Sequence, residues 1–436
     1  MTALRLWVRL GRATGPRATD VLSAVAFAFA TAALLAVLGG VNAFRLRFET
    51  GAVEPDVGMF VLTLSGVASA LLLPAVWTLA QAAVRLAIAR RDDRLAALRL
   101  AGATRGQVTA MAVLDAVAQA LVGGLVGALL ALAVTPGIAR IEFQGLPFTT
   151  AELLPPWWVW LAAIGAVVLI ALGAALASLR RVHVTPLGVA QRVRPKRLSL
   201  WRILGFGLAV AAYVVVVGSG WIDAGMAVSL ALISILVLSY SLIGPLVIQG
   251  VAWLVAKGAR SPATLLAARR VVDDPRGAFN VVGAMAIAVM AGGFASLAPA
   301  TAGGAPDQMS QDIATGAALT IAIAGVLGAV LAGIAQSAKV LDQRREHQAM
   351  HRMGVELPTM RAAIVRQVTL PLVVAVGGAA GVALLLIVPT FMLWLSSPDS
   401  VLMWGLISVL SVVAVLGATA SALPLVRRVA TEAAPA

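Results

Sequence analysis

The 436-residue chain holds no cysteine, which removes disulfides and thiolate chemistry and leaves its redox compartment undecided. Charge is scarce as well. Only 12% of residues are Asp, Glu, Lys or Arg, about half the share usual in soluble domains. With 61% hydrophobic residues and a mean hydropathy of +0.96, that scarcity excludes a soluble fold and makes the chain an integral membrane protein. Catalytic punctuation is missing too: there is no HExxH, no GxSxG and no pair of acids inside an apolar run, so an intramembrane enzyme is the least favoured class. The lysines Lys196, Lys257 and Lys339 follow Pro, Ala and Ala, so no GxxxxGK[ST] phosphate loop exists and ATP cannot be held in that way. His183, His347 and His351 lack carboxylates or second ligands at metal spacing, which favours interfacial or docking roles over metal binding.

What the chain does contain is a series of long apolar runs. Ten charge-free stretches reach the roughly 20 residues needed to cross a bilayer as a helix: 21–44, 57–84, 116–139, 153–179, 203–222, 224–256, 277–306, 313–338, 367–398 and 400–426. Helices satisfy their own backbone groups in lipid, so the expected fold is an all-α integral membrane protein with ten transmembrane helices. The first run follows Arg5, Arg9, Arg12 and Arg17 like a signal peptide, but its length favours a retained anchor. Before it, LRLWVRLGR reads as an amphipathic helix in the headgroup layer.

Alternating ten spans from a cytoplasmic start puts 30 of the 33 Lys and Arg residues on one side, leaving only Arg45, Arg47 and Arg140 on the other. That asymmetry places both termini in the cytoplasm of a multi-pass cell-membrane protein. The net charge of +14 is therefore a set of topological signals at scattered loops, and no nucleic-acid partner is expected. Trp157, Trp158, Trp160, Trp221, Trp394 and Trp404 fall near outer ends of spans, where an aromatic belt is expected.

The chain also repeats itself. RRDDRLAALRLAGAT at 90–104, with six charges between two spans, has a counterpart in DQRREHQAMHRMGVELPTM at 342–360. With Gly102 set on Gly354, Arg94 meets Glu346, Ala97 meets Ala349, Leu98 meets Met350, Arg99 meets His351 and Val108 meets Met360. The first copy reads as a short helix with Leu95, Leu98 and Gly102 on one stripe, flanked by Arg91, Arg94 and Arg99. Gly102 suits a positive φ that turns the chain back into the membrane. Each following span carries a GxxxG pair for close helix contact, Gly123 with Gly127 and Gly377 with Gly381. GPRATDVLSAVAFAF at 15–29 is likewise answered by DPRGAFNVVGAMAIA at 274–288, and Arg180–Arg181 by Arg427–Arg428. The architecture reads as a parallel 4+2+4 duplication. Its expected parts are the amphipathic helix and first span (1–56), the first unit with spans two to four (57–190), linking spans five and six (191–261), the entry with span seven (262–312), the second unit with spans eight to ten (313–430) and a tail (431–436). Two like helices on one pseudo-symmetric body suit a two-fold cytosolic partner.

At these residues the sequence resembles the FtsX-like permease family of ABC transporters, whose loop between its second and third helices carries a pattern of the type RRxEhxxLRxxGxxxxxh. The matches are Arg90, Arg91, Leu98, Arg99 and Gly102 in the first copy, and Arg344, Arg345, Glu346, Met350 and Gly354 in the second. The ten-helix layout is similar to the BceB-type permeases of peptide-antibiotic resistance. In the first copy Arg94 replaces the glutamate, and in the second His351 and Arg352 stand where Arg and an apolar residue are usual. The large outer domain of BceB-like and MacB-like relatives has no room here: the loop at about 298–312 and the segment RLRFETGAVEPD are both short.

The resemblance implies a separate cytosolic ABC ATPase, two copies per chain, docked on the loops at 90–105 and 342–358. Arg91, Arg94, Leu98, Arg99, Gly102, Arg345, Glu346, Met350 and Gly354 are the expected coupling residues. ATP and Mg would sit on that partner and no cofactor on this chain. The expected function is export, or removal from the bilayer, of a hydrophobic or amphipathic, lipid-like compound or antimicrobial peptide, with membrane lipid as the other contact. The alternatives are an ATP-driven regulatory protein acting on a partner, and an ATP-independent secondary transporter. The latter calls for paired intramembrane acids, and only Asp115 comes close. Asp115 is expected at the cytoplasmic interface, paired with a basic loop residue. Pro74, Pro245 and Pro371 fall within spans as candidate kinks.

Overall fold

The computed structural model describes residues 18–89, 104–183, 201–218, 226–296, 308–387 and 398–431. Helices dominate these residues, and nine of them are long and apolar enough to cross a membrane. The expected span at 203–222 corresponds to an apolar helix at Trp201–Gly218, whose apolar stretch Trp201–Val216 is shorter than those nine. The proposed amphipathic segment LRLWVRLGR lies outside the described residues.

The chain divides into two compact units, one of residues 1–192 and 334–344, the other of 193–333 and 345–436. The first unit is built on α1 (Ala18–Glu49), α2 (Pro55–Ala89), α3 (Arg105–Ile138), a hairpin of β1 (Glu142–Phe143) and β2 (Leu146–Pro147), the single turn α4 (Thr150–Leu153), and α5 (Trp157–His183). The central member is α1, packed along both α2 and α3. Its close approach to α3 follows from glycine: a Cβ on Gly127 would stand 2.4 Å from the Ala28 carbonyl oxygen, and one on Gly123 2.5 Å from Phe27 Cβ. Without a side chain at these two places the backbones come together, and the van der Waals contact so gained is what joins helices in lipid.

A structured cap closes one end of this unit. Phe143 pairs with Leu146 and Glu142 with Pro147, joined through Gln144 and Gly145 at φ 59° and 74°, the positive angles of a tight two-residue hairpin. Phe44, Phe143 and Phe148 form a triangle with ring centroids 5.3 to 5.5 Å apart. The helix α1 runs further than the apolar run indicates, so Arg45 and Arg47 lie in its last turns and the connection to α2 is shorter than RLRFETGAVEPD. Arg47, only 4% exposed, donates to the carbonyl oxygens of Phe143 at 2.7 Å and Pro147 at 2.9 Å and to the Glu152 carboxylate at 3.2 Å. Its guanidinium also lies 4.5 Å from the Phe148 ring centre. The helix continues because its one buried charge finds acceptors inside the fold.

The second unit contains α6 (Trp201–Gly218), α7 (Met226–Lys257), α8 (Pro262–Asp273), α9 (Pro275–Ala295), most of α10 (Gln308–Asp342), α11 (Arg344–Arg352), α12 (Leu357–Ile387), α13 (Pro398–Ala420) and α14 (Leu423–Thr431). The core runs along α9, which packs against α7 and α12. Its apolar window is 61% buried, against 11% for the final span, so the chain leaves most of the last helix uncovered. Small residues again set the spacing, with Gly292 against Ile321, Gly293 against Ala383 and Gly325 against Ser411. Trp404 turns inward and donates its indole N–H to the Val289 carbonyl at 2.9 Å, unlike the exposed Trp157 and Trp158. Trp221 and Trp394 lie outside the described residues. The Tyr240 hydroxyl donates to the Ala375 carbonyl between α7 and α12. Pro74, Pro245 and Pro371 sit inside α2, α7 and α12.

Candidate functional site

The second charged segment forms α11, nine residues reading RREHQAMHR. It follows α10 after one turn, where the Gln343 N–H donates to the Lys339 carbonyl at 2.9 Å. At the other end the Val355 N–H reaches back to the Met350 carbonyl and the Gly354 N–H to the His351 carbonyl, both at 3.0 Å. This double closure is a Schellman ending, and it places its glycine at the left-handed position. Gly354 has φ +88°, a region costly for any residue with a Cβ. After it the chain turns into α12, whose first residue is Leu357.

The helix has two faces. His347 is fully buried and Met350 half-buried, while Glu346, Ala349, His351, Arg352 and Met353 are exposed. Arg344 is half-buried, and of the Arg345 side chain nothing is described. Contacts from Glu346 and Gln348 help to fix the helix to its surroundings. Glu346 Oε1 meets Arg270 Nη2 of α8 at 2.6 Å, and Gln348 Nε2 donates to the Val429 carbonyl of α14 at 3.3 Å.

The platform α8 was invisible to hydropathy because 257–276 reads as a charged loop. Its signals are nevertheless in the sequence: Ser261 caps the helix by accepting from the Thr264 N–H at 3.3 Å, with Pro262 in the first turn. Ala263, Ala267 and Val271, one turn apart, are its buried stripe. Arg366 of α12 clamps its start by donating to Ser261 Oγ at 2.6 Å and Thr264 Oγ1 at 2.7 Å. At its end Asp274 serves both neighbours, its N–H donating to the Arg270 carbonyl at 3.3 Å and its carboxylate accepting from the Gly277 N–H of α9 at 2.9 Å.

Of the first charged segment, Arg91, Arg94, Leu98, Arg99 and Gly102 lie outside the described residues. Its exit is described. Thr104 caps α3 in a capping box, its hydroxyl accepting from the Gln107 N–H at 3.3 Å while the Thr104 N–H donates to Gln107 Oε1 at 3.0 Å. The helix α3 starts three residues after Gly102, and α12 starts three residues after Gly354. The GxxxG pairs after these starts differ in what they face. Gly123 and Gly127 lie against α1, whereas a Cβ on Gly377 or Gly381 would meet nothing within 4 Å among the described residues; Gly378 instead faces the Tyr240 hydroxyl. Asp115 is half-buried in α3, one turn before Gln119, whose amide donates to Asp20 Oδ1 at 3.0 Å and accepts from the Ser23 hydroxyl of α1. This polar contact of α1 with α3 was not anticipated from the sequence. Among the described residues no three His, Cys, Asp or Glu side chains gather as metal ligands would.

Neither the curated proteins nor the solved structures contain a match to this chain. Residues 66–186 match the family described as FtsX-like permease, C-terminal, a range that takes in most of α2, all of α3, the hairpin cap and α5.

Proposed function

Starting from an FtsX-like permease domain at residues 66–186 in a multi-span helical membrane protein, we propose that the chain is the membrane subunit of an ABC transporter. It has ten spans in a 4+2+4 duplication and both termini in the cytoplasm. ATP is hydrolysed by a separate cytosolic ATPase dimer, one subunit docking on residues 90–105 and the other on 342–358. The work done is export or membrane extraction of an amphipathic or lipid-like compound or antimicrobial peptide.

The observation that carries this reading is α11. A nine-residue charged helix stands between two apolar helices of more than 30 residues each. It exposes His351, Arg352 and Met353 and is tied to the fold at Glu346 and Gln348. A surface loop with no load to carry needs neither a fixed ending nor two such ties. A rigid helix that receives a push from a soluble partner needs both. The matching sequence at 90–104 is the expected second docking point.

The test is a mild-detergent pull-down from native membranes with an ATPase assay on the eluate, for wild type and for Arg99→Glu combined with Arg352→Glu. A co-purifying P-loop protein at two copies per chain, lost in the variant, is the expected result. An ATPase-free preparation that still moves solute in vesicles would overturn the reading.

A further inference from the structure

Where α12 and α14 come together, a cavity of about 540 Å³ is lined by Arg361, Ala420, Leu423, Pro424, Arg427 and Arg428. Three of the six lining residues carry a guanidinium and none carries an acid. Neither Arg361 nor Arg428 forms an ion pair among the described residues. The Nε of Arg361 is buried and has no hydrogen-bond partner among the described residues. Arg361 is half-buried and Arg428 exposed, so the cost falls on the covered Nε edge of Arg361, and a tetrahedral anion relieves it best, because the planar fork of Arg matches two phosphate oxygens. The remaining lining, Ala420, Leu423 and Pro424, is apolar and belongs to the end of the span Asp399–Val429. A site with cationic groups on one side and apolar groups on the other, at the end of a membrane helix, has the character of a headgroup site.

We propose that this cavity binds the phosphate of an anionic glycerophospholipid. The volume falls in the range of small-molecule sites, about 300–1,000 Å³, and so admits a glycerophosphate. The bound phosphate bridges Arg361 of α12 to Arg428 of α14. Because the Val429 carbonyl accepts from Gln348 of α11, holding α14 against α12 also holds the charged helix in place. The proposal requires only that these helices cross the bilayer. It is independent of any ATPase, so it and the permease reading fail separately.

The test uses the purified full chain in detergent, with bound lipid followed by native mass spectrometry. Phosphatidylglycerol and phosphatidylcholine are offered at equal concentration, with inorganic phosphate as competitor. The expected result is preferential retention of phosphatidylglycerol, weakened about tenfold or more by Arg361→Gln or by Arg428→Gln and unchanged by Arg269→Gln on the exposed face of α8. Equal retention of the two lipids, or undiminished retention in both variants, would overturn it. Displacement by inorganic phosphate at the lipid's own concentration would overturn the lipid source in favour of a soluble phosphate compound. Arg428 is exposed on its helix, so Arg428→Gln folds and keeps the test decisive where Arg361→Gln does not.

Discussion

Arg270 and Glu346 meet at 2.6 Å across 76 residues of chain, joining the amphipathic platform α8 to the charged helix α11. The arginine is mostly covered and the glutamate half exposed, so the pair contributes modestly to stability, up to about 1 kcal/mol. Its greater effect is on position. Reversing Glu346 alone sets two cations against each other, and Arg270→Glu with Glu346→Arg restores attraction. The expected outcome is that Glu346→Arg lowers partner-stimulated ATPase activity and the double reversal recovers most of it. Loss in the double equal to the sum of the two single losses would show that the pair does not act as a unit.

Gly354 at φ +88° closes α11. Gly354→Ala forces a Cβ into the left-handed region at about 1–2 kcal/mol, while Gly106→Ala, with negative φ near the start of α3 and nothing within 4 Å, is expected to leave stability within about 0.5 kcal/mol of wild type. Thermal unfolding in detergent separates the two.

The glycine pairs of the two halves lead to an asymmetric prediction. Gly127→Leu drives a side chain into the Ala28 carbonyl and Thr31 of α1, and overpacking of this kind costs about 1–3 kcal/mol. Gly381→Ala meets open space and is expected to be neutral or slightly stabilising, since Ala favours helix by about 1 kcal/mol over Gly. Equal losses at both sites would show that the second pair is also a contact.

How much of this was legible beforehand depends on which physical signal each residue carried. Long apolar runs locate spans because the cost of an unpaired backbone in lipid is large and sequence-independent, so the nine long helices follow the runs closely. The short helix α11 was readable from its duplication and its glycine. The platform α8 was not, because its buried face is mostly alanine, too weakly apolar to register beside Arg269, Arg270 and Asp273. That Arg47 lies inside α1 was hidden for the opposite reason. A charge beyond an apolar run reads as loop, and its partners, the carbonyls of Phe143 and Pro147, are backbone groups that no side-chain pattern announces.

Arg47→Met removes the donor that gathers the hairpin cap and takes its guanidinium away from the Phe143 and Pro147 carbonyls and from Glu152, which keeps its hydrogen bond from the Thr149 N–H. A loss of about 2–4 kcal/mol is expected. Limited proteolysis in oriented vesicles is expected to cut within 140–150 in the variant and to spare wild type.

The absence of cysteine makes orientation directly measurable, because a single introduced thiol is the only one present. With an impermeant maleimide on intact cells, Ala52→Cys is expected to label and Met353→Cys to label only after permeabilisation. The reverse pattern would invert the proposed topology.

Asp274 ends one helix and starts the next with no residue in between, and Pro275 fixes the following backbone angle. That leaves α8 and α9 with no slack between them: a stiff elbow in which tilting the short arm tilts the long one. The long arm is the most buried helix of its unit. A displacement of α11 at Glu346 therefore does not dissipate in a loop. Were a partner to push there, the elbow would act as a crank on the centre of its own unit, with Asp274 as the key that locks crank to shaft.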